Sequence, residues 1–260
     1  GAPRKADRPG PRYVHLVPMH KGEGGPKRPF FLVAGMFGNV LNLGHLANLI
    51  GTDRPFYGLQ ARGLYGDAEP HETFEEAARD YLAEVKQVQP HGPYLLGGFS
   101  GGGLTAWEMA QQLVAEGEEV AMLLLLDSRL PQVPPLRRED RVRMKLMELQ
   151  RSGPGYLVEW GKNRFEWELG KVRRRFFPKD DVAQPTPASF QNDKIEAAFY
   201  RALERYRMRH YPGRAILFRP KLEPLYVIDD DHWIDDEDKY LFHDNGFGKY
   251  ADDIEVYEMP

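Results

Sequence analysis

A glycine-rich corner between a short apolar segment and a helical pattern is the feature that most constrains the fold of this chain. Residues 94–103 read YLLGGFSGGG and contain the pattern G-x-S-x-G around Ser100. A serine on such a strand-to-helix turn projects its hydroxyl above the edge of a sheet, and the flanking glycines leave room for the backbone. The pattern therefore predicts a nucleophile elbow in which Ser100 is the nucleophile.

Strand-like and helix-like segments alternate on both sides of this corner. Thr73 and Glu76 have capping-box spacing and open a helix whose apolar residues recur at helical intervals. Residues 120–126 are apolar throughout, which is typical of a strand buried on both faces of a parallel sheet. The patterns predict strands at 13–17, 30–33, 94–98, 120–126, 215–218 and 254–257, and helices at 74–88, 104–115 and 193–210. Such alternation predicts an α/β fold with a doubly wound, mostly parallel sheet.

The alternation breaks between residues 131 and 193. This segment is rich in Arg, Lys, Pro and Trp, and it has helical patterns at 138–151 and 156–175 but no stretch of strong β character. We interpret it as an inserted helical lid. The predicted domains are a linker or expression remnant at 1–12, a core formed by 13–130 and 194–260, and the helical lid insertion at 131–193.

The composition of the chain excludes several classes of binding partner and of catalytic chemistry. The net charge of -4 gives no basic surplus for nucleic acid. The chain has no cysteine, which excludes disulfides, thiolate metal sites and a cysteine nucleophile within it. Its longest wholly apolar run, 120–126, is too short to cross a bilayer, and the first twelve residues hold no signal-peptide pattern. We therefore expect a cytoplasmic protein without nucleic-acid or membrane partners.

A serine nucleophile needs an acid, a base and backbone N–H groups for the oxyanion. Asp127 directly follows the predicted strand at 120–126, so it is expected at the same sheet edge as Ser100 and is the predicted acid; a turn cap is the alternative. The predicted oxyanion donors are the N–H groups of Gly101 and of Met36, which lies in the loop after the strand at 30–33. Met36 and its neighbour could instead be apolar pocket wall. No cofactor and no metal are expected for this chemistry.

Four segments together resemble the thioesterase domains that terminate polyketide synthases and nonribosomal peptide synthetases. They are the elbow GFSGGG, the strand LLLLDS with its aspartate 27 positions after the serine, the loop AGMFGN, and the segment AAFYRALERYRMRHYPGRAILFRP. The resemblance covers nearly the whole chain from about Tyr13. An acid that precedes the lid resembles this family rather than hydrolases in general, whereas G-x-S-x-G alone is shared widely.

The resemblance implies an α/β-hydrolase fold and a thioesterase activity. An acyl or peptidyl chain would move from the phosphopantetheine thiol of a carrier protein to Ser100. It would then pass to water, which is hydrolysis, or to a nucleophile within the chain itself, which is macrocyclisation. The implied partner is an acyl or peptidyl carrier protein, fused upstream. A stand-alone editing thioesterase and a carboxylesterase are alternatives.

The predicted base is a histidine that lies beyond Pro260. In the chain order Ser, Asp, His, the base follows the last strand, and that strand ends close to the end of this sequence. His232, in the segment DDDHW, is the alternative base, since triads are set by geometry and not by chain position. If no histidine follows, the alternative is a non-catalytic carrier-binding module or a truncated, inactive enzyme.

The acidic segment around His232 and the predicted lid have other open interpretations. A metal site of His232 with Asp229, Asp231 and Asp235 is less favoured than a solvated acidic segment, because no EF-type glycine spacing occurs. Basic residues of the lid could attract an acidic carrier protein, although such runs are more often solvated faces. The lid aromatics could line an acyl channel or only hold helices to the core: Tyr156, Trp160, Phe165 and Trp167.

Overall fold

A computed structural model describes residues 13–23, 27–130, 133–153, 192–230 and 232–259. The strands are β1 Leu16–His20, β2 Phe30–Val33, β3 Phe56–Leu59, β4 Tyr94–Phe99, β5 Val120–Leu126, β6 Tyr211–Pro220, β7 Tyr226–Val227, β8 Trp233–Ile234, β9 Tyr240–Leu241 and β10 Ala251–Met259. The helices are α1 Leu43–Ile50, α2 Phe74–Val88, α3 Gly102–Ala115, α4 Arg138–Ser152 and α5 Asn192–Arg205, with a short 3₁₀ helix at Phe247–Lys249.

Seven strands form one sheet in the order β1-β3-β2-β4-β5-β6-β10. Only β1 pairs antiparallel, with β3; every other neighbouring pair in this sheet is parallel. From β2 the chain passes outward to β3 and then returns to β4 on the other side, so the strand order reverses at β2 and β4. The predicted α/β fold with a doubly wound, mostly parallel sheet is confirmed, and ligands of such sheets bind at the carboxyl ends of the strands where the order reverses.

Helices on the sheet complete the core around β4. Thr73 caps α2, because its side chain accepts a hydrogen bond from the Glu76 N–H at 3.1 Å, as the sequence spacing predicts. The α3 helix is buried along most of its length, and Trp107 has no exposed surface. Apolar residues of α2, α3 and the central strands pack in one cluster, so the carboxyl end of β4 is held on a rigid base.

Two predicted element bounds were wrong for reasons that involve distant side chains. Residues 206–210 are not helical: the Arg209 carbonyl accepts a hydrogen bond from Trp107 Nε1 at 3.2 Å, and the chain then enters β6. The first strand begins only at Leu16, and before it the N–H groups of Val14 and His15 donate to the Glu84 carboxylate instead of to a neighbouring strand. In both segments the backbone makes hydrogen bonds to distant side chains, although the local sequence pattern predicts regular secondary structure there.

The chain divides into two compact units. The first contains, among the described residues, 13–23, 27–130, 192–221 and 243–259, and it holds the seven-stranded sheet. The second contains, among the described residues, 133–153, 222–230 and 232–242, and it holds α4 with the antiparallel sheet β7-β8-β9. Its small core includes Leu136, Met144, Ile234 and Tyr240, and the Tyr240 hydroxyl binds the Asp140 carboxylate.

The predicted lid at 131–193 falls largely outside the described residues, so this domain boundary stays a prediction. The helix predicted at 138–151 is present as α4, whereas the one predicted at 156–175 lies outside the described part of the chain. Within the described ranges, no helix combines the length and the apolar character needed to span a membrane.

Candidate active site

Ser100 occupies the corner between β4 and α3. Its backbone is left-handed, with φ at 51°, which is uncommon for a residue with a side chain and costs of order 1–3 kcal/mol. The conformation is fixed from both sides, because the Ser100 N–H donates to the Leu126 carbonyl at 2.7 Å and the Ser100 carbonyl accepts from the Gly103 N–H at 3.1 Å. The strand–serine–helix corner that the motif predicts is therefore present in the fold.

Close approach of the backbone accounts for the glycines of this corner. A Cβ on Gly98 would lie less than 3.0 Å from the Gly102 carbonyl oxygen, and a Cβ on Gly102 would lie equally close to the Ala34 carbonyl oxygen. A Cβ on Gly103 would overlap the hydroxyl of Ser128, which is fully buried. Only glycine lets the start of α3 pack this tightly against β4 and the loop after β2.

Asp127 stands at the end of β5, next to the end of β4. Phe99 and Leu126 are paired across these two parallel strands, so Ser100 and Asp127 each follow one member of the same pair. The Asp127 N–H donates to the Phe218 carbonyl at 2.7 Å, and its backbone is also left-handed, with φ at 47°. The register thus brings the predicted nucleophile and the predicted acid to adjacent strand ends.

One oxygen of the Asp127 carboxylate has no hydrogen-bond partner within the part of the chain that the structure describes. Oδ1 is buried and makes no hydrogen bond to any described residue. A buried carboxylate oxygen without a donor is costly, and such atoms in native proteins call for an explanation. A donor that approaches Oδ1 would remove this cost, and an imidazole N–H has the required chemistry.

The loop after β2 brings Met36 beside Gly101. A Cβ built on Gly101 would lie 3.2 Å from the Met36 Cβ, so the residues of the two predicted oxyanion donors are neighbours. The loop is held in a tight turn, since the Gly38 N–H donates to the Gly35 carbonyl at 2.8 Å. The direction of each N–H toward a bound oxyanion stays a prediction.

A cavity of about 130 Å³ opens between this loop and Ser100. Its walls include Ser100, Phe99, Met36, Phe37, Asn39 and Asn42. Met36 and Phe37 therefore line the cavity, which is the pocket-wall role that the sequence left as an alternative, and a wall residue can also offer its backbone N–H. The cavity gives a reacting group access to the serine.

His232 lies in the second compact unit, in a turn before β8. Its Nδ1 is 2.7 Å from Asp229 Oδ1, and its backbone N–H donates to the same oxygen at 2.9 Å. The Asp235 carboxylate accepts the backbone N–H groups of Glu237 and Lys239. Asp231 is outside the described residues. These hydrogen bonds belong to local turns, which is the arrangement expected of the solvated acidic segment.

Another histidine cluster lies in the first unit and was missed by the sequence reasoning. Among the described residues, His15, His71 and Asp80 form a group with ligand atoms close enough to hold a metal ion. His71 Nε2 is 3.0 Å from Asp80 Oδ2, but Arg62 Nη1 also contacts this oxygen at 3.2 Å. Burial lowers the pKa of His71, despite the opposing effect of Asp80. The arginine already supplies the positive charge, so the cluster is satisfied as a polar network.

Comparison with known protein families shows the family to which the chain belongs. A family profile described as a thioesterase domain matches residues 29–164, which is more than half of the 260 residues. The chain belongs to the thioesterase domain family. The matched part of this thioesterase domain contains the elbow, the loop after β2 and Asp127.

Relatives of the thioesterase domain include large multidomain synthases. It is 31% identical over 223 residues to the dimodular nonribosomal peptide synthase of Bacillus subtilis, which covers 84% of this chain and 9% of the relative. It is 37% identical over 147 residues to indigoidine synthase of Dickeya dadantii, which covers 56% of this chain and 9% of that protein. The chain therefore spans about a tenth of the length of these relatives.

Solved structures give the same fold. The NocB thioesterase domain in covalent complex with a fluorophosphonate nocardicin G analog superposes with a TM-score of 0.59 at 24% identity, over 95% of this chain and 89% of that one. The four-domain nonribosomal peptide synthetase holo-AB3403 gives a TM-score of 0.62 at 21% identity, over 95% of this chain and 18% of that one. The thioesterase domain thus has the α/β-hydrolase fold.

Proposed function

We propose that this thioesterase domain releases an acyl or peptidyl chain from a phosphopantetheine carrier protein through an acyl-serine intermediate on Ser100. The observation that carries the proposal is the register of β4 and β5, because it sets Ser100 and Asp127 at adjacent strand ends, with the loop of Met36 beside them. Membership of the thioesterase domain family supports thioester cleavage as the reaction.

In the first half-reaction the Ser100 Oγ attacks the thioester carbonyl carbon while a histidine takes the hydroxyl proton. The carbonyl oxygen becomes an oxyanion that accepts hydrogen bonds from the Gly101 and Met36 N–H groups. Collapse breaks the carbon–sulfur bond, and the histidine returns its proton to the leaving thiol. The products are the acyl-serine ester and the free phosphopantetheine thiol, and no cofactor enters this balance.

In the second half-reaction a nucleophile attacks the ester carbon and restores the Ser100 hydroxyl. Water gives a carboxylic acid, whereas a hydroxyl or amine of the bound chain gives a macrocycle. The histidine again takes a proton from the nucleophile and delivers it to the serine oxygen. Asp127 would orient this histidine and stabilise its charged form through the oxygen that has no partner among described residues.

The base proposed here is a histidine on residues that follow β10. This strand runs parallel to β6 up to Met259, and Tyr257 of β10 pairs with Phe218 of β6. The Phe218 carbonyl accepts the Asp127 N–H, so β6 lies between Asp127 and β10, and the carboxyl end of β10 lies two strands from that of β5. A residue that follows would reach the same sheet edge. His232 remains the alternative base, and its Asp229 contact would have to open for that role.

The proposed partner is an acyl or peptidyl carrier protein in the same polypeptide. Support comes from two relatives that are named as a nonribosomal peptide synthase and a polyketide synthase, in which the matched residues cover only 9% and 5% of the length. A stand-alone editing thioesterase would use the same Ser100 chemistry on a carrier that is a separate protein. The two arrangements can be distinguished by comparing the rates of hydrolysis of an acyl chain on a fused carrier and on a separate carrier. Faster release from the fused carrier supports the proposal, and faster release from the separate carrier supports the stand-alone enzyme.

The test is covalent labelling of the full-length protein with a fluorophosphonate serine probe, followed by intact mass. We expect one adduct in the parent protein and none in Ser100→Ala, with hydrolysis of an acyl N-acetylcysteamine thioester lost in the same variant. Ser100→Cys serves as a matched control, because it keeps a nucleophile at the elbow and its thiol should accept a haloacetamide. A folded parent protein that takes no adduct and cleaves no thioester would refute catalysis and leave a carrier-binding module.

A further inference from the structure

The space beside Gly101 is filled by an aromatic ring from a distant helix. A Cβ built on Gly101 would lie 2.6 Å from Phe199 Cζ and 2.8 Å from Phe199 Cε2. Real Cβ atoms essentially never approach other atoms below 3.0 Å, so a side chain at position 101 would require the ring of Phe199 to shift. The ring therefore lies beside the residue whose N–H is the predicted oxyanion donor.

The backbone of Gly101 gives no other reason for a glycine. Its φ of -57° and ψ of -26° are right-handed helical, a conformation that any L-residue adopts. The left-handed residue of the elbow is Ser100. The absence of a side chain at position 101 is therefore explained by the Phe199 ring and not by a conformational requirement.

The same helix face also meets the second predicted oxyanion segment. Ile195 precedes Phe199 by one turn on α5, and its Cγ2 would lie 3.1 Å from a Cβ built on Gly38, in the loop that carries Met36. Both side chains belong to one apolar stripe of the helix, because positions four apart lie on the same face. The turn of α5 from Ile195 to Phe199 therefore contacts both segments of the predicted oxyanion hole.

The residues that follow Phe199 are tied to α3 and to the segment before α2, so this contact is held in place. The Tyr206 hydroxyl, just after the helix, donates to Glu108 Oε2 of α3 at 3.0 Å. Arg201 binds the Glu72 carboxylate with two hydrogen bonds of 2.9 and 2.7 Å. The Phe74 ring of α2 packs edge-on against Phe199 at 5.4 Å between ring centres. The Phe199 ring is thus held from behind while its tip faces Gly101.

We infer that Phe199 is a positioning residue for the oxyanion hole, matched in size to Gly101. The inference rests on the proposed function, since it assumes that the Gly101 N–H stabilises the tetrahedral intermediate. An oxyanion donor contributes most when it is oriented before the reaction begins. The ring restrains Gly101 from one side, and Gly101 lacks the Cβ that would push the ring away.

The test is a reciprocal size exchange in the full-length protein. Gly101→Ala adds the clashing methyl group, and Phe199→Leu removes the ring atoms Cε and Cζ that it would meet while keeping an apolar side chain. We expect Gly101→Ala to lower the rate of fluorophosphonate labelling and the kcat of thioester hydrolysis by about 10- to 100-fold with little change in KM. Phe199→Leu should lower kcat by about three- to tenfold with little change in KM, because the ring no longer restrains Gly101, and the double variant should recover to the level of Phe199→Leu.

Gly44→Ala is the matched control, because Gly44 is also helical and a Cβ there would come no closer than 3.9 Å to Met19. It should label at the parental rate. A double variant as slow as Gly101→Ala, or a Gly101→Ala within threefold of the parent, overturns the inference while the proposed function stands. If Gly101→Ala does not fold, recovery of fold and labelling in the double variant supports the pairing, and failure in both refutes it. A parent protein that never labels refutes the proposed function and this inference together.

Discussion

Asp127→Asn separates a catalytic role of Asp127 from a structural one, because the two roles predict different measurements. The side chain keeps its size, and asparagine tolerates the left-handed backbone of position 127, where φ is 47°. What changes is the charge and the acceptor character of one oxygen. If Asp127 orients the histidine, the amide would favour the wrong imidazole tautomer and would not stabilise the histidinium.

The expected magnitudes differ widely. Loss of the corresponding aspartate in a serine triad lowers kcat by about 10⁴, which corresponds to roughly 5 kcal/mol of transition-state stabilisation. The free energy of unfolding should change by less than about 1 kcal/mol, because Oδ1 is buried without a hydrogen bond to any described residue and the isosteric amide removes a buried charge. As a turn cap, Asp127 would instead contribute about 0.5–2 kcal/mol to stability and almost nothing to kcat.

The assay pairs thioester hydrolysis with urea unfolding of the same full-length protein. Asp238→Asn is the matched control, since Asp238 is exposed and also has a left-handed backbone, with φ at 58°. It should leave both kcat and the unfolding midpoint unchanged. A kcat for Asp127→Asn within tenfold of the parent, together with a clear loss of stability, would refute the assignment of Asp127 as the acid.

Two further predictions concern the packing of α5 and the histidine network. Burial, with the charge of Glu108 second, raises the pKa of Tyr206, so its hydroxyl stays a donor; Tyr206→Phe should cost about 1.5–3 kcal/mol in the free energy of unfolding, measured by urea denaturation, and an unchanged midpoint would contradict it. Burial lowers the pKa of His71 below its ordinary 6.5, so protonation favours the unfolded chain. Stability should therefore fall as the pH drops from about 6.5 through the lowered pKa, and His71→Gln should reduce the difference between unfolding midpoints at pH 8 and pH 5; an equal difference in both proteins would argue against this role.

The sequence predicts those parts of the fold that local patterns encode. Thr73 with Glu76 marks the start of α2, the apolar run 120–126 marks a buried strand, and the elbow motif marks the corner at Ser100. The predicted topology also places Ser100 and Asp127 at the same edge of a parallel sheet. The register between β4 and β5, which sets them side by side, is known only from the structure.

Contacts between distant residues could not be predicted in the same way. The Phe199 ring meets Gly101 from a position 98 residues later, and neither residue carries a local signal of the other. The helix at 193–210 was predicted too long because the periodicity of apolar residues continues past Arg205, where side chains of α3 bind the Arg209 carbonyl. Such hydrogen bonds override the helix propensity of the local sequence, and the periodicity of the apolar residues does not reveal them.

The elbow shows how a glycine-rich motif can be required by packing instead of by backbone freedom. Neither Gly98 nor Gly101 has a positive φ, and the left-handed residue of this corner is Ser100, which has a side chain. Gly98 lacks a side chain because the start of α3 approaches it, and Gly101 lacks one because Phe199 does. The strain is therefore concentrated on Ser100, whose conformation directs its hydroxyl, while the glycines allow the neighbouring chain to close around it. A substitution of either glycine should consequently act through displaced neighbours, and only at Gly101 is the displaced neighbour a side chain that a second substitution can shorten.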